Sequence, residues 1–140
     1  MPKIFEIVPG LWQGSHPRPA LPPEFKAVIN VDYTEAEYPT DHLAEYHHFP
    51  IPDGPDPGLD WLDKVMRTAK KIREAGLPLY IHCQAGISRS VFVTAAVLMA
   101  EFKLDPEEAI NTINAKTNQA DPAPAFILCL RRLYDSWRYQ

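Results

Sequence analysis

Short apolar segments bounded by turn residues predict strands in the first half of the chain. Ile4–Val8 ends at the turn pair Pro9-Gly10, and Leu11–Gly14 resumes as the second arm of a hairpin. Residues 15–24 contain four prolines and predict a loop. Further strands are predicted at residues 27–31, at residues 46–51 with an interruption at Pro50, and at Leu79–His82.

From Leu59 onward the spacing of apolar residues changes to that of helices. Apolar positions recur on one helical face as far as Ile72, with lysines and arginines opposite, and Gly76 marks the end of this helix. Asp105 precedes Pro106 and has Glu108 three positions after it, which is typical of a capped helix start. The other predicted helices are residues 90–102, almost wholly apolar and therefore buried on most sides, and Pro124–Arg138.

This order of elements favours one α/β domain. Strands that alternate with helices predict a central mixed sheet with helices packed against it. The chain has 140 residues, which is within the usual size of one domain, and it shows neither an internal repeat nor a linker, so we expect a single domain over residues 1–140.

Composition narrows the class of protein. The formal net charge of -4 argues against nucleic acid as the main partner. The first ten residues lack the apolar run of a signal peptide, and the longest apolar stretch, residues 91–100, is too short to span a bilayer. We therefore expect a soluble cytoplasmic protein without a membrane partner, in which Cys83 and Cys129 are reduced. The sequence does not determine the oligomeric state, and a monomer is the default expectation.

The segment His82 to Ser90 contains the most informative chemistry. Cys83 and Arg89 are separated by five residues, in a short loop between a predicted strand and a predicted helix. Such a loop can turn successive N–H groups inward to bind an anion, and the following helix adds its N-terminal dipole. Gly86 allows the tight curl, and Arg89 can form paired hydrogen bonds to two phosphate oxygens.

The same surroundings favour a reactive cysteine. A helix N-terminus and nearby positive charge stabilise thiolates, so we expect Cys83 to be a thiolate nucleophile at neutral pH. The hydroxyl of Ser90 is placed to donate to the sulfur and so stabilise it as a leaving group. The ring nitrogens of His82 are expected to orient the loop. The backbone N–H groups expected to bind phosphate are those of Gln84, Ala85, Gly86, Ile87, Ser88 and Arg89.

A phosphoester leaving group also needs a proton donor. Asp53 and Asp56 both lie in the turn-rich stretch after the strand predicted at residues 46–51. We favour Asp53, because it follows that strand most closely and should reach the sheet edge where Cys83 emerges. Asp56 lies deeper in the Gly/Pro stretch and remains the alternative.

These residues resemble the protein tyrosine phosphatase superfamily. The loop His82 to Ser90 is similar to its signature loop, and Ala85 to Ser90 is most similar to the small dual-specificity branch. Residues 50–54, which contain Asp53, resemble the general-acid loop of that family. Residues 27–31 resemble the strand whose asparagine supports the phosphate loop, which makes Asn30 a supporting candidate. Residues 117–122 depart from the family pattern, so no role is assigned to them.

The resemblance implies a fold and an activity. The fold is a phosphatase-type three-layer α/β structure with a mixed, mostly parallel sheet. The activity is hydrolysis of phosphotyrosine, and of phosphoserine or phosphothreonine, in a protein or peptide partner through a phosphocysteine on Cys83. No cofactor and no metal are implied.

Other functions stay open at this point. The substrate can be a non-protein phosphoester: a phosphoinositide, an RNA 5′-end or a phosphosugar. The uncharged residues between Cys83 and Arg89 disfavour highly anionic substrates. A catalytically silent phospho-binding module is a second alternative, against which the intact Cys83, Arg89 and Asp53 argue. Sulfur or arsenate chemistry would need a second well-placed thiol, and Cys129 is the one other cysteine.

Overall fold

A computed structural model describes residues 2–138; Met1 and residues 139–140 of the predicted domain lie outside that range. Five strands form one mixed sheet in the order β1-β2-β5-β3-β4. Strands β1 and β2 form an antiparallel hairpin, and the other three neighbouring pairs are parallel. The strands are β1 (Ile4–Val8), β2 (Leu11–Gly14), β3 (Ala27–Asn30), β4 (Glu45–His48) and β5 (Leu79–His82).

Four helices follow the patterns read from the sequence. The start of α3 has the predicted capping box, in which Asp105 accepts from the Glu108 N–H and the Glu108 carboxylate accepts from the Asp105 N–H. Ten consecutive residues of α2, from Ser90 to Met99, are buried, as its apolar composition predicted. The helices are α1 (Leu59–Glu74), α2 (Arg89–Phe102), α3 (Pro106–Thr117) and α4 (Pro124–Arg138).

The two faces of the sheet are covered differently. Alternate residues of a strand point to opposite faces, so Ile81 joins the core formed with all four helices while Tyr80 joins the other core. The second core contains loop residues, including Phe25 and Tyr38, and none of its described members comes from a helix. The predicted mixed, mostly parallel sheet flanked by helices is confirmed. The helices form the layer on one face of the sheet, and loops form the layer on the other.

The element limits differ from the predictions by one to three residues, with identifiable causes. Strand β4 ends at His48 rather than at residue 51, because Pro50 has no N–H for the sheet. Helix α2 begins at Arg89, one residue earlier than predicted. Within residues 2–138 no helix is both long and apolar enough to cross a membrane.

Strand β5 lies in the middle of the sheet, and this fixes the position of the loop that follows it. Its parallel neighbours β2 and β3 end at the same edge, with Gly14 and Asn30 each in register with His82. The Val31 N–H donates to the carbonyl of His82 at 2.9 Å and extends the pairing of β3 and β5 by one step. The segments after β2, β3 and β5 therefore meet at one edge, where parallel sheets commonly bind ligands.

Candidate active site

The loop between β5 and α2 is held in a tight curl by its neighbours. Gly86 has a φ of 76°, and a Cβ built there would lie 2.6 Å from the backbone carbon of Gly14. Position 86 therefore requires glycine for both its conformation and its space. The carbonyl of Gln84 accepts from the His16 N–H at 3.0 Å, and that of Ile87 accepts from the Asp121 N–H at 2.9 Å.

The Cys83 side chain is buried, with 2% of its residue surface exposed. The Gly86 N–H donates to its sulfur at 3.3 Å, and the Ser90 hydroxyl oxygen lies 3.1 Å from the same atom. The sulfur also lies close to the N-terminus of α2, whose dipole favours negative charge. These contacts suit a thiolate, and they include the serine contact predicted from the sequence.

A buried glutamine, Gln13 on β2, contacts the same loop from behind. Its side-chain amide donates to the carbonyl of Gly86 at 2.9 Å and to the hydroxyl of Ser90 at 2.7 Å. Gln13 was not among the site residues predicted from the sequence. Its one signal in the sequence is a polar side chain within the otherwise non-polar strand Leu11–Gly14.

Arg89 begins α2 and is held by a buried carboxylate. Its Nη1 donates to Oδ1 of Asp32 at 3.3 Å and to the carbonyl of Ile51 at 3.1 Å. The Asp32 side chain is 5% exposed, so this ion pair is largely shielded from water. Asp32 also was not among the predicted site residues, although a carboxylate just after a buried parallel strand, at its carboxyl end, is a usable signal.

Asp53 lies in the same cleft as Cys83. The Ser88 hydroxyl donates to Oδ1 of Asp53 at 2.7 Å and accepts from the Ala123 N–H at 3.0 Å. Ser88 therefore joins the loop between β5 and α2, here called the phosphate-type loop, to both the Asp53 loop and the segment before α4. The cleft has a volume of about 470 Å³ and is lined by Asp53, Cys83, Gln84, Ala85, Ile87, Ser88, Arg89, Asp121 and Ala123. Gly86 is buried behind this lining.

Asp56, the alternative to Asp53, is directed elsewhere. Its Oδ1 accepts from the Gly58 N–H at 2.8 Å, and its Oδ2 forms an ion pair with Arg132 on α4. Burial alone would raise the pKa of Asp56. The hydrogen bond from Gly58 and the charge of Arg132 outweigh burial and hold that pKa below its usual value.

The second cysteine belongs to the same remote cluster as Asp56. Cys129 is fully buried, and both cysteines are free thiols. Burial, together with a hydrogen bond to Asp56, raises the pKa of the Cys129 thiol to about 11. Cys129 is therefore a protonated, packed thiol at neutral pH, as predicted.

His82 is buried and uses both ring nitrogens. The Cys83 carbonyl can only accept, so Nδ1 donates to it at 3.1 Å, and Nε2 accepts from the Tyr38 hydroxyl at 2.6 Å. Burial lowers the pKa of His82 to about 4, which makes the ring neutral at neutral pH. The ring thus connects the backbone of Cys83 to the loop layer that covers the sheet.

Asn30 lies beside the loop without bonding to it in any contact described for residues 2–138. Its amide donates to the Thr34 carbonyl at 3.2 Å and the Tyr46 hydroxyl at 3.1 Å, and its Oδ1 accepts from the Asp32 N–H at 2.9 Å. Asn30 therefore holds the segment that carries Asp32, and Asp32 in turn contacts Arg89. The supporting role expected of Asn30 stays a prediction.

Comparison with known proteins agrees with this arrangement. The family described as "Dual specificity phosphatase, catalytic domain" matches residues 15–136. The human protein "Dual specificity protein phosphatase 12" is 29% identical over 147 residues, covering 99% of this chain and 43% of that protein. Human "Phosphatidylglycerophosphatase and protein-tyrosine phosphatase 1" is 44% identical over 57 residues, or 41% of this chain and 28% of that protein.

The fold has close counterparts among solved structures. The crystal structure of human DUSP28 matches with a TM-score of 0.85 at 22% identity, covering 97% of this chain and 99% of that chain. The chain spans less than half the length of the curated relatives named above. Because the family match extends over most of the chain and includes the whole loop from Cys83 to Arg89, the protein belongs to the dual-specificity phosphatase catalytic-domain family.

Proposed function

We propose that the protein is a metal-independent phosphatase that hydrolyses phosphotyrosine, and phosphoserine or phosphothreonine, in proteins through a phosphocysteine on Cys83. One observation carries the proposal: the Cys83 sulfur lies in a cleft that Arg89 and Asp53 also line, it accepts a hydrogen bond from the Gly86 N–H, and the Ser90 hydroxyl oxygen lies 3.1 Å from it. A nucleophile, an anion clamp and a proton donor therefore face one cleft.

In the first step the Cys83 thiolate attacks phosphorus, and the bond to the leaving oxygen breaks. The described contacts of Arg89 use only Nη1, so its Nε and Nη2 are available for two equatorial phosphate oxygens. The remaining donors are the backbone N–H groups of residues 84 to 89, apart from that of Gly86, which donates to the Cys83 sulfur. Positioning and charge stabilisation of this kind dominate phosphoryl transfer.

Asp53 supplies the proton in the first step and accepts one in the second. Because Ser88 donates to Oδ1, the other oxygen, Oδ2, is the atom that carries the proton to the leaving group. In the second step Oδ2 takes a proton from water, whose oxygen attacks phosphorus. The S–P bond then breaks, with its electron pair returning to the Cys83 sulfur.

The charged side chains that line the cleft favour a phosphorylated protein over a substrate that carries several phosphates. The cleft lining includes two carboxylates, Asp53 and Asp121, and one cation, Arg89. Asp121 is exposed, and its backbone is fixed against Ile87. A phosphotyrosine with neutral or basic neighbours fits this balance, whereas additional phosphates would be repelled. We place this activity in the cytoplasm, because free thiols such as Cys83 and Cys129 stay reduced there.

A lipid phosphomonoester is the second candidate substrate. It is favoured by the 44% identity, over 57 residues, to a protein whose name includes phosphatidylglycerophosphatase. That likeness covers 41% of this chain, and the two cleft carboxylates argue against a strongly anionic headgroup. We therefore rank the phosphoprotein first.

The nucleophile is tested by phosphate release from p-nitrophenyl phosphate in the presence of EDTA. We expect wild-type protein to turn over and Cys83→Ser to lose on the order of 10⁴-fold or more in rate, because a serine hydroxyl is not ionised at neutral pH. Loss of wild-type turnover on adding EDTA would contradict a metal-independent mechanism. Equal rates for wild type and Cys83→Ser would show that Cys83 is not the nucleophile. Binding of phosphopeptide without turnover would instead identify a silent binding module.

The proton donor is tested by a matched pair of variants in one loop, Asp53→Asn and Asp56→Asn. We expect Asp53→Asn to lower kcat about 100-fold, and to do so more for phenyl phosphate than for a substrate with a better leaving group. Asp56→Asn should keep near-wild-type kcat. The reverse pattern would make Asp56 the acid.

The Asp56→Asn variant also tests how much the charge of Asp56 stabilises the folded protein. A carboxylate whose folded pKa is lowered stabilises the protein above its ordinary pKa, and this stabilisation is lost as pH falls through the folded value. We therefore expect Asp56→Asn to lower the free energy of unfolding at pH 7, with a difference from wild type that shrinks below about pH 4. Urea unfolding at several pH values measures this, and a difference that grows at low pH would contradict the role of the charge.

Substrate class is tested with Asp121→Asn. We expect the ratio of kcat/KM for a phosphopeptide with acidic neighbours to that for one with basic neighbours to rise roughly two- to fivefold. The control is Asp63→Asn on α1, which removes the same charge from an ion pair with Arg67 away from the cleft. Equal shifts in both variants would show a net-charge effect. Higher kcat/KM of the wild type for a phosphoinositide than for any phosphopeptide would favour the lipid.

A further inference from the structure

One side chain outside the signature loop contacts both of the described residues that bond to the Cys83 sulfur. Gly86 N–H and the Ser90 hydroxyl contact the sulfur. Gln13 donates to the carbonyl of Gly86 at 2.9 Å and to the oxygen of Ser90 at 2.7 Å. Gln13 is fully buried, on a strand that pairs directly with β5. Its position is therefore fixed by the sheet.

The orientation of the Gln13 amide is settled by its partners. The Gly86 carbonyl can only accept, so the nitrogen of the amide must face it, and both of its hydrogens are then used. The amide oxygen of Gln13 is buried, with no hydrogen-bond partner among the described residues. A buried oxygen without a partner is destabilising. The two hydrogen bonds that the Gln13 nitrogen donates therefore hold the amide in this orientation despite that cost.

These bonds determine where the Ser90 hydrogen points. With its oxygen accepting from Gln13, the Ser90 hydroxyl has its single hydrogen left to donate. Its two neighbouring acceptors are the Cys83 sulfur at 3.1 Å and the Gly14 carbonyl at 3.3 Å. Once the sulfur carries negative charge it is the stronger acceptor, so the hydrogen turns toward it.

We infer that Gln13 is a positioning residue for the second step of the reaction, acting on the sulfur through Ser90 and Gly86. The inference rests on the proposed phosphatase mechanism. In the first step the thiolate gives up charge as the S–P bond forms, so a donor to sulfur brings little gain. In the second step water attacks phosphorus, Asp53 takes its proton, and the S–P electron pair returns to sulfur. A donor held at the sulfur stabilises that developing charge.

The test replaces the donor while keeping its volume, in Gln13→Met. We expect kcat to fall about tenfold, while kcat/KM, which reports the first step, changes less than about twofold. Slow hydrolysis of the phosphocysteine should then appear as a burst of p-nitrophenol equal to the enzyme concentration. Because a poorly folded enzyme loses kcat/KM too, this split separates positioning from stability.

Coupling to Ser90 is measured with a double-mutant cycle. If Gln13 acts through Ser90, Gln13→Met should add little to the loss already caused by Ser90→Ala. The matched control is Thr94→Val, which removes another buried hydroxyl of α2 that has no partner among the described residues. We expect wild-type kinetics for it. Gln13→Leu repeats the test if the methionine variant does not fold.

Each outcome decides between the alternatives. A parallel fall of kcat and kcat/KM without a burst would overturn the inference, as would additive losses in the double variant or unchanged kinetics in Gln13→Met and Gln13→Leu. In these cases wild-type turnover leaves the phosphatase proposal intact. Absence of turnover in the wild type would instead overturn the phosphatase mechanism and this inference together.

Discussion

The proposed reaction depends on a charged sulfur atom at Cys83, in a place that water hardly reaches. A buried charge is strongly destabilising unless hydrogen bonds and dipoles replace its hydration. Cys83 is 2% exposed, and the Gly86 N–H, the Ser90 hydroxyl and the N-terminus of α2 provide that replacement. The backbone of this loop therefore has little freedom. A Cβ at position 86 would collide with Gly14, and one at Gly14 would lie 1.9 Å from the carbonyl oxygen of Lys3.

Arg89 is subject to a second constraint of the same kind. The buried Asp32 holds one nitrogen of its guanidinium and so fixes the side chain before any phosphate arrives. Holding the clamp in advance reduces the entropy lost on binding. It also leaves a negative charge behind the arginine, which reduces its net attraction for anions. The loop N–H groups and the dipole of α2 must therefore contribute much of the binding of phosphate.

Local sequence patterns carried much of the fold and part of the site. Strand β5, the curl at Gly86 and the apolar helix α2 are contiguous in the chain, so spacing alone predicted the loop and its neighbours. The rest of the site consists of residues that the fold brings to the loop from distant parts of the sequence. Gln13 and Asp32 reach the loop from β2 and from the end of β3, and Asp121 reaches it from the segment before α4. None of them belongs to a motif, because their partners are distant in sequence. The preference for Asp53 over Asp56 stays a prediction about catalysis, although only Asp53 lines the cleft.

The phosphocysteine on Cys83 can be sought by locating the phosphoryl group on the protein during turnover. Protein mixed with phosphotyrosine peptide is quenched in acid within the first turnover, digested and examined by mass spectrometry under conditions that preserve thiophosphate bonds. We expect a phosphoryl group on the peptide that contains Cys83, assigned by fragmentation to the cysteine. We expect none on the same peptide of the Asp53→Asn variant after that variant has hydrolysed all of its substrate. A phosphoryl group on a histidine, aspartate or serine, or release of phosphate with no covalent intermediate in any variant that slows the second step, would contradict the proposed mechanism.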